Sequence, residues 1–414
     1  MMRILISILL ISIATVLYGQ NTSKGEDYIK QIEGKLDKAK ISIDKTLATP
    51  EGKLSAENWY LKGYVCTELA KSEVFKASYP NAAIEALSAI QKSRELDQTN
   101  AFLPECINVL FDLSTLFYNQ GINIYNKSVT NTNVEGLKQA LGNFDNFFSA
   151  VKTLGDDDKI VMHLMDFSKI NIYSVMFYTA YSAQKCGMND KAQEYYLKIV
   201  QLDVPDEKAK ATGVPLAYVY YPDLLITLGE QQKAMNVLKK GARLYPENID
   251  VMMAAIDMHK KAGQIDEMSE YLEKAIKASP KDPKMLVVLA GAYTTIARDY
   301  DKKGYSSTSL EYRDKAITTY EKAITLNPTD QTVLFNINYN MGILYYNPGV
   351  QAYKKQDEAG RVEAEALFRK AVIPLEKALA IDKTNKNVIN MLLKCYQTMN
   401  DSKRSAELEK LLYN

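Results

Sequence analysis

Two consecutive stretches of this 414-residue chain decide its fold: LAYVYYPDLLITLGEQQKAMNVLKKGARLYPEN at residues 216–248 and DVMMAAIDMHKKAGQIDEMSEYLEKAIKASPKD at residues 250–282. Placed over each other with an offset of 34 residues, they align Gly229 with Gly263. A glycine at this place ends a helix in the left-handed conformation. Each stretch therefore predicts two helices joined by a tight turn. One such pair cannot bury its own apolar face, so the pairs are expected to stack.

The same offset aligns Pro246 with Pro280, near the end of each stretch. A period of 34 residues, with small residues and a closing proline at constant phase, resembles the tetratricopeptide repeat family. The phrase AITTYEKAITLNP at residues 316–328 is the closest match to the family consensus in the chain. The resemblance is strong over residues 173–413 and weaker before them. It implies an all-α fold: a right-handed superhelical solenoid of tetratricopeptide-type helix pairs.

The first 19 residues have the layout of a secretory signal peptide: MMR, an apolar run to Tyr18, Gly19, and then polar residues. The apolar run of about 15 residues is shorter than the ~20 that span a bilayer, which favours cleavage over an uncleaved anchor. The first cysteine, Cys66, is distant, which argues against a lipoprotein. We expect an exported protein, periplasmic or envelope-associated, with no integral membrane segment after cleavage. Its start resembles that of exported Bacteroidota proteins.

The rest of the chain divides into two parts, which differ in how closely they follow the 34-residue pattern. We expect divergent helical repeats at residues 20–155, followed by tetratricopeptide repeats at residues 156–414 as one continuous solenoid. Several units carry extra residues between their two helices, which lengthen both helices or add a loop on one edge of the solenoid. These insertions are 75–81, 127–134, 298–311 and 353–365.

Two prolines interrupt otherwise helical patterns, Pro222 and Pro374. Proline removes a backbone hydrogen bond inside a helix but is tolerated in the first turn. We therefore expect a helix that starts near Tyr221, and a kink or a restart at Pro374.

Composition excludes some classes of partner. The chain has 51 basic and 50 acidic residues, so nothing favours nucleic acid. Its four cysteines are far apart and form no CxxC pair. Because most of them lie in apolar helical patterns, buried thiols are expected rather than a disulfide framework.

The sequence is poor in catalytic groups. It contains two histidines, His163 and His259, which are not spaced as metal ligands. His259 falls where the family has a tyrosine that faces the partner helix, so we expect it to be packed. The run Asp156-Asp157-Asp158 lacks the alternating oxygen ligands of a calcium loop. No phosphate-binding or nucleophile-elbow motif is present. We therefore predict no enzyme activity, no metal and no cofactor.

In the family, the first helix of each pair lines the concave face of the solenoid, and one residue from each successive turn of that helix points into it. Tyrosines with scattered polar groups suit an adaptable protein-binding groove, because aromatic anchors dominate binding energy. An ordinary polar groove with a few exposed aromatics is the alternative. The residues at these positions are Phe177, Tyr181, Asp223, Asp257, Tyr339, Tyr346, Asn387, Asn390 and Lys394.

The predicted function is a non-enzymatic scaffold or adaptor of the cell envelope that holds a peptide or helix of a protein partner in this groove. The alternative is a glycan- or nutrient-binding protein, by resemblance to helical-repeat nutrient-capture proteins. The missing lipidation cysteine and the single tryptophan, Trp59, weigh against that alternative. An envelope enzyme is a third hypothesis, and it needs a catalytic constellation that we do not find in the sequence.

Overall fold

The computed structural model describes residues 23–155, 164, 168–202 and 213–413. These residues form eighteen helices and no strand, which confirms the all-α solenoid. The chain divides into two compact units, Met1–Val214 (unit 1) and Pro215–Asn414 (unit 2). The predicted signal peptide lies outside the described residues, and the predicted boundaries at residues 19 and 155 stay predictions. Among the described helices, none combines the length and apolar character needed to cross a bilayer.

Unit 1 consists of a long first helix, a single helical turn and three helix pairs. In chain order its helices are α1 (Ser23–Leu47), α2 (Pro50–Lys53), α3 (Ala56–Lys71), α4 (Ala82–Leu96), α5 (Leu103–Thr130), α6 (Val134–Thr153), α7 (Ile172–Lys185) and α8 (Asn189–Val200).

Unit 2 consists of five helix pairs. Its helices are α9 (Val214–Thr227), α10 (Gln231–Leu244), α11 (Ile249–Lys261), α12 (Ile265–Ala278), α13 (Pro283–Lys302), α14 (Ser306–Thr325), α15 (Gln331–Tyr353), α16 (Glu358–Ile381), α17 (Lys386–Thr398) and α18 (Ser402–Tyr413). The odd-numbered helices of this unit are the first helices of their pairs.

Local sequence sets the ends of these helices. Gly229 and Gly263 follow the first helices α9 and α11 with φ values of +81° and +71°, in the left-handed region where a side chain is strained. At the other end, an Asn or Asp caps the next first helix. Asn248 accepts a hydrogen bond from the Val251 amide at 3.1 Å and thereby satisfies one of the free amides of α11.

Small residues let the two helices of a pair approach closely. A Cβ atom at Gly241 of α10 would lie 2.6 Å from the Cβ of Tyr218 on α9, closer than real Cβ contacts. The buried cluster around α13 and α14 has the same character, with Ala316 and Tyr320 both excluded from solvent. Interlocking of small and aromatic residues therefore holds the helices of each pair together.

Three of the four insertions lengthen helices. The helices α5 and α6, α13 and α14, and α15 and α16 continue through the extra residues and leave turns of only a few residues between them. The insertion at 75–81 is different, because α3 ends at Lys71 and α4 begins at Ala82. Hydrogen bonds from the Ser78 and Tyr79 amides to the Phe75 carbonyl turn this loop.

The prolines do not divide their helices. The prediction that a helix starts near Tyr221 is wrong, because α9 begins at Val214 and Pro222 lies inside it. Pro374 likewise lies inside α16, which does not restart there. Both prolines are buried. We infer that packing against the partner helices compensates for the backbone hydrogen bond that each proline removes.

A network of charged groups fastens α1 to the first pair of unit 1. The Lys40 ammonium lies 2.8 Å from Asp44 and 3.0 Å from Glu85, and the Lys62 ammonium lies 2.9 Å from Asp44. Burial opposes ionisation of the Asp44 carboxyl, but hydrogen bonds from Lys40 and Lys62 outweigh it. The pKa of Asp44 therefore lies below its usual value.

Substituting Ala316 with Leu tests the close contact between helices in unit 2. Because Ala316 is fully buried, we expect the larger side chain to overpack the pair and lower the free energy of unfolding by about 1–3 kcal/mol. Urea denaturation measures this change. Thr318→Leu is the matched control, since Thr318 is exposed on the same helix. Equal stability of the two variants would contradict the assigned packing.

Substituting Asp44 with Asn tests the charge network. A carboxyl with a lowered pKa stabilises the folded state above its ordinary pKa of about 3.9, and this contribution is lost as the pH falls through the folded-state pKa. We expect the difference in unfolding free energy between wild type and Asp44→Asn to be present at pH 6 and to shrink below pH 4. Glu95→Gln, at an exposed ion pair of the same unit, provides the control. A difference that is independent of pH would exclude the network as its cause.

Candidate functional site

The first helices of unit 2 bury one side and leave another side open. On α11 the buried residues include Val251, Met252 and Ala255, whereas Asp250, Met253 and Asp257 are exposed. The spacing of three and four residues places the exposed residues on one face. We call the corresponding open faces of α9, α11, α13, α15 and α17 the first-helix surface.

One end of the first-helix surface is acidic. Asp223 on α9 and Asp250 and Asp257 on α11 are all exposed. Tyr220 links the two helices electrostatically: burial raises the pKa of its hydroxyl, and the Asp250 and Asp223 carboxylates raise it further. Met253 lies among these carboxylates and is 44% exposed. This end of the surface therefore combines negative charge with exposed apolar area.

The middle of the surface is aromatic and is formed by α15. The ring of Tyr339 stacks on that of Phe335, with centroids 5.6 Å apart and planes at 11°. About two turns further along, the ring of Tyr346 contacts that of Phe368 on α16 with centroids 5.8 Å apart, and burial raises the pKa of the Tyr346 hydroxyl. Tyr339 and Tyr346 are half-buried and pack on the core of the last pairs. Each therefore contributes both to the core and to the surface.

The far end of the surface, on α17, is polar. Asn387 and Asn390 are exposed, and Lys394 is half-buried. The Lys394 ammonium lies 4.3 Å from the ring centroid of Tyr353, the last residue of α15, in a cation–π contact. The Lys394 charge therefore already has a partner within the chain.

The two predicted site residues of unit 1, Phe177 and Tyr181, differ in their exposure to solvent. Phe177 is only 2% exposed, so its predicted place on an open face is wrong. Its ring packs in the core against Tyr196 at 6.5 Å and Tyr178 at 5.8 Å. The reason is helical phase, because the neighbouring turns of α7 are buried on the same side. Tyr181 is half-buried, lies 5.8 Å from Tyr125, and carries the Lys185 ammonium 5.3 Å from its ring.

Sequence reasoning missed four residues of the first-helix surface: Asp250, Met253, Phe335 and Tyr353. Asp250 and Met253 precede the predicted Asp257 by seven and four residues, and Phe335 precedes Tyr339 by four, so helical spacing from the predicted positions identifies these three. Tyr353 follows Tyr346 by seven residues, so helical spacing indicates it as well, although an insertion begins there.

The described residues hold no set of three or more His, Cys, Asp or Glu side chains placed to bind a metal. His259 is fully buried, with its Nδ1 atom 3.1 Å from Gln264 Oε1 and its ring against Tyr271, which confirms that it is packed.

Burial raises the pKa of the Cys66 thiol to about 11 and that of Cys395 to about 12, which disfavours the nucleophilic thiolate. His163 and residues 156–158 lie outside the described residues.

Comparison with known proteins agrees with this geometry. The family model described as the tetratricopeptide repeat matches residues 253–282 and 299–330. These matches fall on the α11–α12 pair and on the end of α13 with α14.

Solved structures with similarity to the chain include tetratricopeptide repeat proteins of three bacteria. The C-terminal part of one from Cytophaga hutchinsonii is 16% identical, with 76% of this chain and 95% of that chain covered and a TM-score of 0.38. One from Bacteroides fragilis is 14% identical, with coverage of 67% and 97% and a TM-score of 0.25. A thermophilic one from Thermus thermophilus is 18% identical, with coverage of 48% and 90% and a TM-score of 0.30. The family match therefore shows tetratricopeptide repeats at residues 253–282 and 299–330, on helix pairs joined by glycine-capped turns.

Proposed function

We propose that this protein is a non-enzymatic scaffold or adaptor of the cell envelope, and that it holds a peptide segment or helix of a partner protein on the first-helix surface of unit 2. The observation that carries the proposal is the half-exposed aromatic row of α15. Tyr320 and Phe368, on the second helices α14 and α16, are fully buried. Phe335, Tyr339 and Tyr346 instead keep one edge open beside exposed polar groups.

Half-exposed tyrosines suit protein binding for a physical reason. A tyrosine offers a large apolar ring and a hydroxyl while losing little side-chain entropy on binding. Because Phe335 and Tyr339 are stacked on each other, their orientation is already set before a partner arrives. Aromatic anchors of this kind supply most of the energy in protein interfaces.

The envelope location rests on the signal-peptide layout of residues 1–19 and is part of the proposal.

Photocrosslinking in living cells tests the proposed surface. A photoreactive residue replaces Tyr339, and an equivalent residue at Lys377, exposed on the second helix α16, is the control. We expect mass spectrometry to identify a distinct protein that is captured from position 339 and not from position 377. Identical capture at both positions, or capture of carbohydrate alone, would contradict the proposal.

Truncation of Tyr339 separates binding from folding. We expect Tyr339→Ala to weaken binding of the crosslinked partner about tenfold, because an aromatic anchor is lost. The half-buried ring also supports the core, so we expect the free energy of unfolding to fall by about 1–2 kcal/mol. Tyr312→Ala is the matched control, since Tyr312 is half-buried on the second helix α14. It should cost similar stability and leave binding unchanged. Equal loss of binding in the two variants would show that only stability was affected.

A further inference from the structure

Helix α13 carries a glycine, Gly291, that the packing of unit 2 does not require. Gly241, Gly342 and Gly349 each lie against a partner helix, where a Cβ atom would come within 2.4 to 2.7 Å of a side chain. Apart from the backbone around it, a Cβ atom at Gly291 would meet only the Tyr320 hydroxyl oxygen, at the ordinary contact distance of 3.7 Å. Because glycine inside a helix is destabilising relative to alanine, Gly291 needs another explanation.

Gly291 lies in the middle of the open face of α13. Lys284 and Arg298 are exposed, and Val288 and Thr295 are half-buried. The spacing of three and four residues places these side chains on one face with Gly291. Helix α13 packs against both α11 and α15, so its open face is the centre of the first-helix surface. The α13 backbone therefore has no side chain to cover it at the centre of that surface.

A buried hydroxyl lies beneath this position. Tyr320 on α14 is fully excluded from solvent, and its hydroxyl has no hydrogen-bond partner of ordinary geometry among the described residues. The polar side chains that approach it are Thr294 on α13 and Asn340 on α15. Thr294 already donates its own proton to the Ala290 carbonyl at 2.8 Å. Because a buried polar group without a partner is costly, a ligand group that pairs with the Tyr320 hydroxyl would relieve that cost.

The polar groups around Gly291 suit an uncharged ligand. Burial raises the pKa of Tyr320, so its hydroxyl stays protonated and can donate or accept a hydrogen bond. The Asn340 amide also has a donor and an acceptor, and Asn340 directly follows Tyr339 of the aromatic pair. A peptide group, with one N–H donor and one carbonyl acceptor, matches these groups. A charged group would instead lose its solvation without gaining an opposite charge from them.

We propose that Gly291 and the Tyr320 hydroxyl form a subsite for the main chain of the bound partner segment. A peptide group of the segment lies against the uncovered backbone at Gly291 and pairs with the Tyr320 hydroxyl, and a neighbouring side chain of the segment packs on the Phe335–Tyr339 pair. Glycine permits this close approach of a ligand to a helix backbone. Since the peptide groups inside a helix are already paired with each other, the segment binds in an extended conformation. This inference rests on the proposed function and specifies how the partner is held.

Selection from a displayed library of random peptides on the full chain supplies a probe without knowledge of the partner. Fluorescence anisotropy then measures the affinity of an enriched synthetic peptide for each variant. Gly291→Ala should weaken binding about fivefold or more, because its methyl group holds the peptide main chain away, and should fold at least as stably as wild type. Gly142→Ala is the matched control, since Gly142 on α6 also has open space around it. It should change affinity less than about twofold.

Tyr320→Phe removes the hydroxyl and keeps the ring. We expect affinity to fall about fivefold through the lost hydrogen bond, whereas the melting temperature should not fall, because an unpaired buried hydroxyl is removed. Tyr196→Phe is the control, because the Tyr196 hydroxyl donates to Gln184 at 2.8 Å within unit 1. It should lower stability and leave affinity unchanged.

Replacing the amides of the peptide with esters, one at a time, locates the peptide group that pairs with Tyr320. One ester should weaken binding to wild type and have no further effect on Tyr320→Phe, because both changes remove the same hydrogen bond. Fully additive losses at every ester position would overturn the pairing.

Unchanged affinity of Gly291→Ala or of Tyr320→Phe, with binding still lost on Tyr339→Ala, would overturn the subsite and leave the proposed function standing. No enriched peptide, or binding that Tyr339→Ala does not change, would overturn both.

Discussion

The close approach of two helices within each pair is the contact on which the rest of the molecule depends. In unit 1, a Cβ at Gly121 of α5 would lie 2.7 Å from the ring of Phe144 on α6, and in unit 2 Gly349 of α15 has the same relation to Phe368 of α16. An aromatic ring on one helix thus fills the space left by a missing side chain on the other. Close packing of this kind gives dispersion energy from every atom of the ring and leaves little freedom in the angle between the helices.

This close packing explains why each first helix of unit 2 has a buried side and only a narrow open side. A first helix packs against its own second helix and against the first helices on either side, so only a narrow strip remains open. Residues at the border of that strip are half-buried, as Tyr339 and Tyr346 are. Because their inner edges belong to the core, their outer edges are held rigidly. The side chains best suited to bind a partner are therefore also side chains that stabilise the fold.

The sequence was a good guide to the fold because the fold depends on local, periodic features. Gly229, Gly263 and the capping Asn248 specify where helices end, and the period of 34 residues specifies how they pair. It was a weaker guide where packing overrides a local rule. Pro222 favours the start of a helix when only its own backbone is considered, yet α9 continues through it because its apolar side is buried.

The surface residues, like the helices, were predicted correctly where the periodic pattern decides and wrongly where packing decides. Asp223 and Asp257 are exposed and Tyr339 and Tyr346 are half-buried, because the regular repeats of unit 2 keep the helical phase. Phe177 is buried because the neighbouring turns of α7 are buried on the same side, and its ring packs against Tyr196 of α8. Contacts between helices, such as Lys394 on Tyr353, need the register of one helix against the next, and a single sequence does not contain it.

The insertions extend the first helices beyond their neighbours. With 23 residues, α15 is about 35 Å long, whereas α17 with 13 residues is about 20 Å long. The added turns cannot pack on a shorter neighbour, so each long pair must support its own end. In the α13–α14 pair, Tyr300 stacks on Tyr312 with centroids 5.7 Å apart, and Tyr305 packs edge-on against Tyr300. Such rings hold the extended ends of a long pair rigidly together without a neighbouring repeat. Along the helix axis, the first-helix surface is therefore longer at α13 and α15 than at α11 or α17.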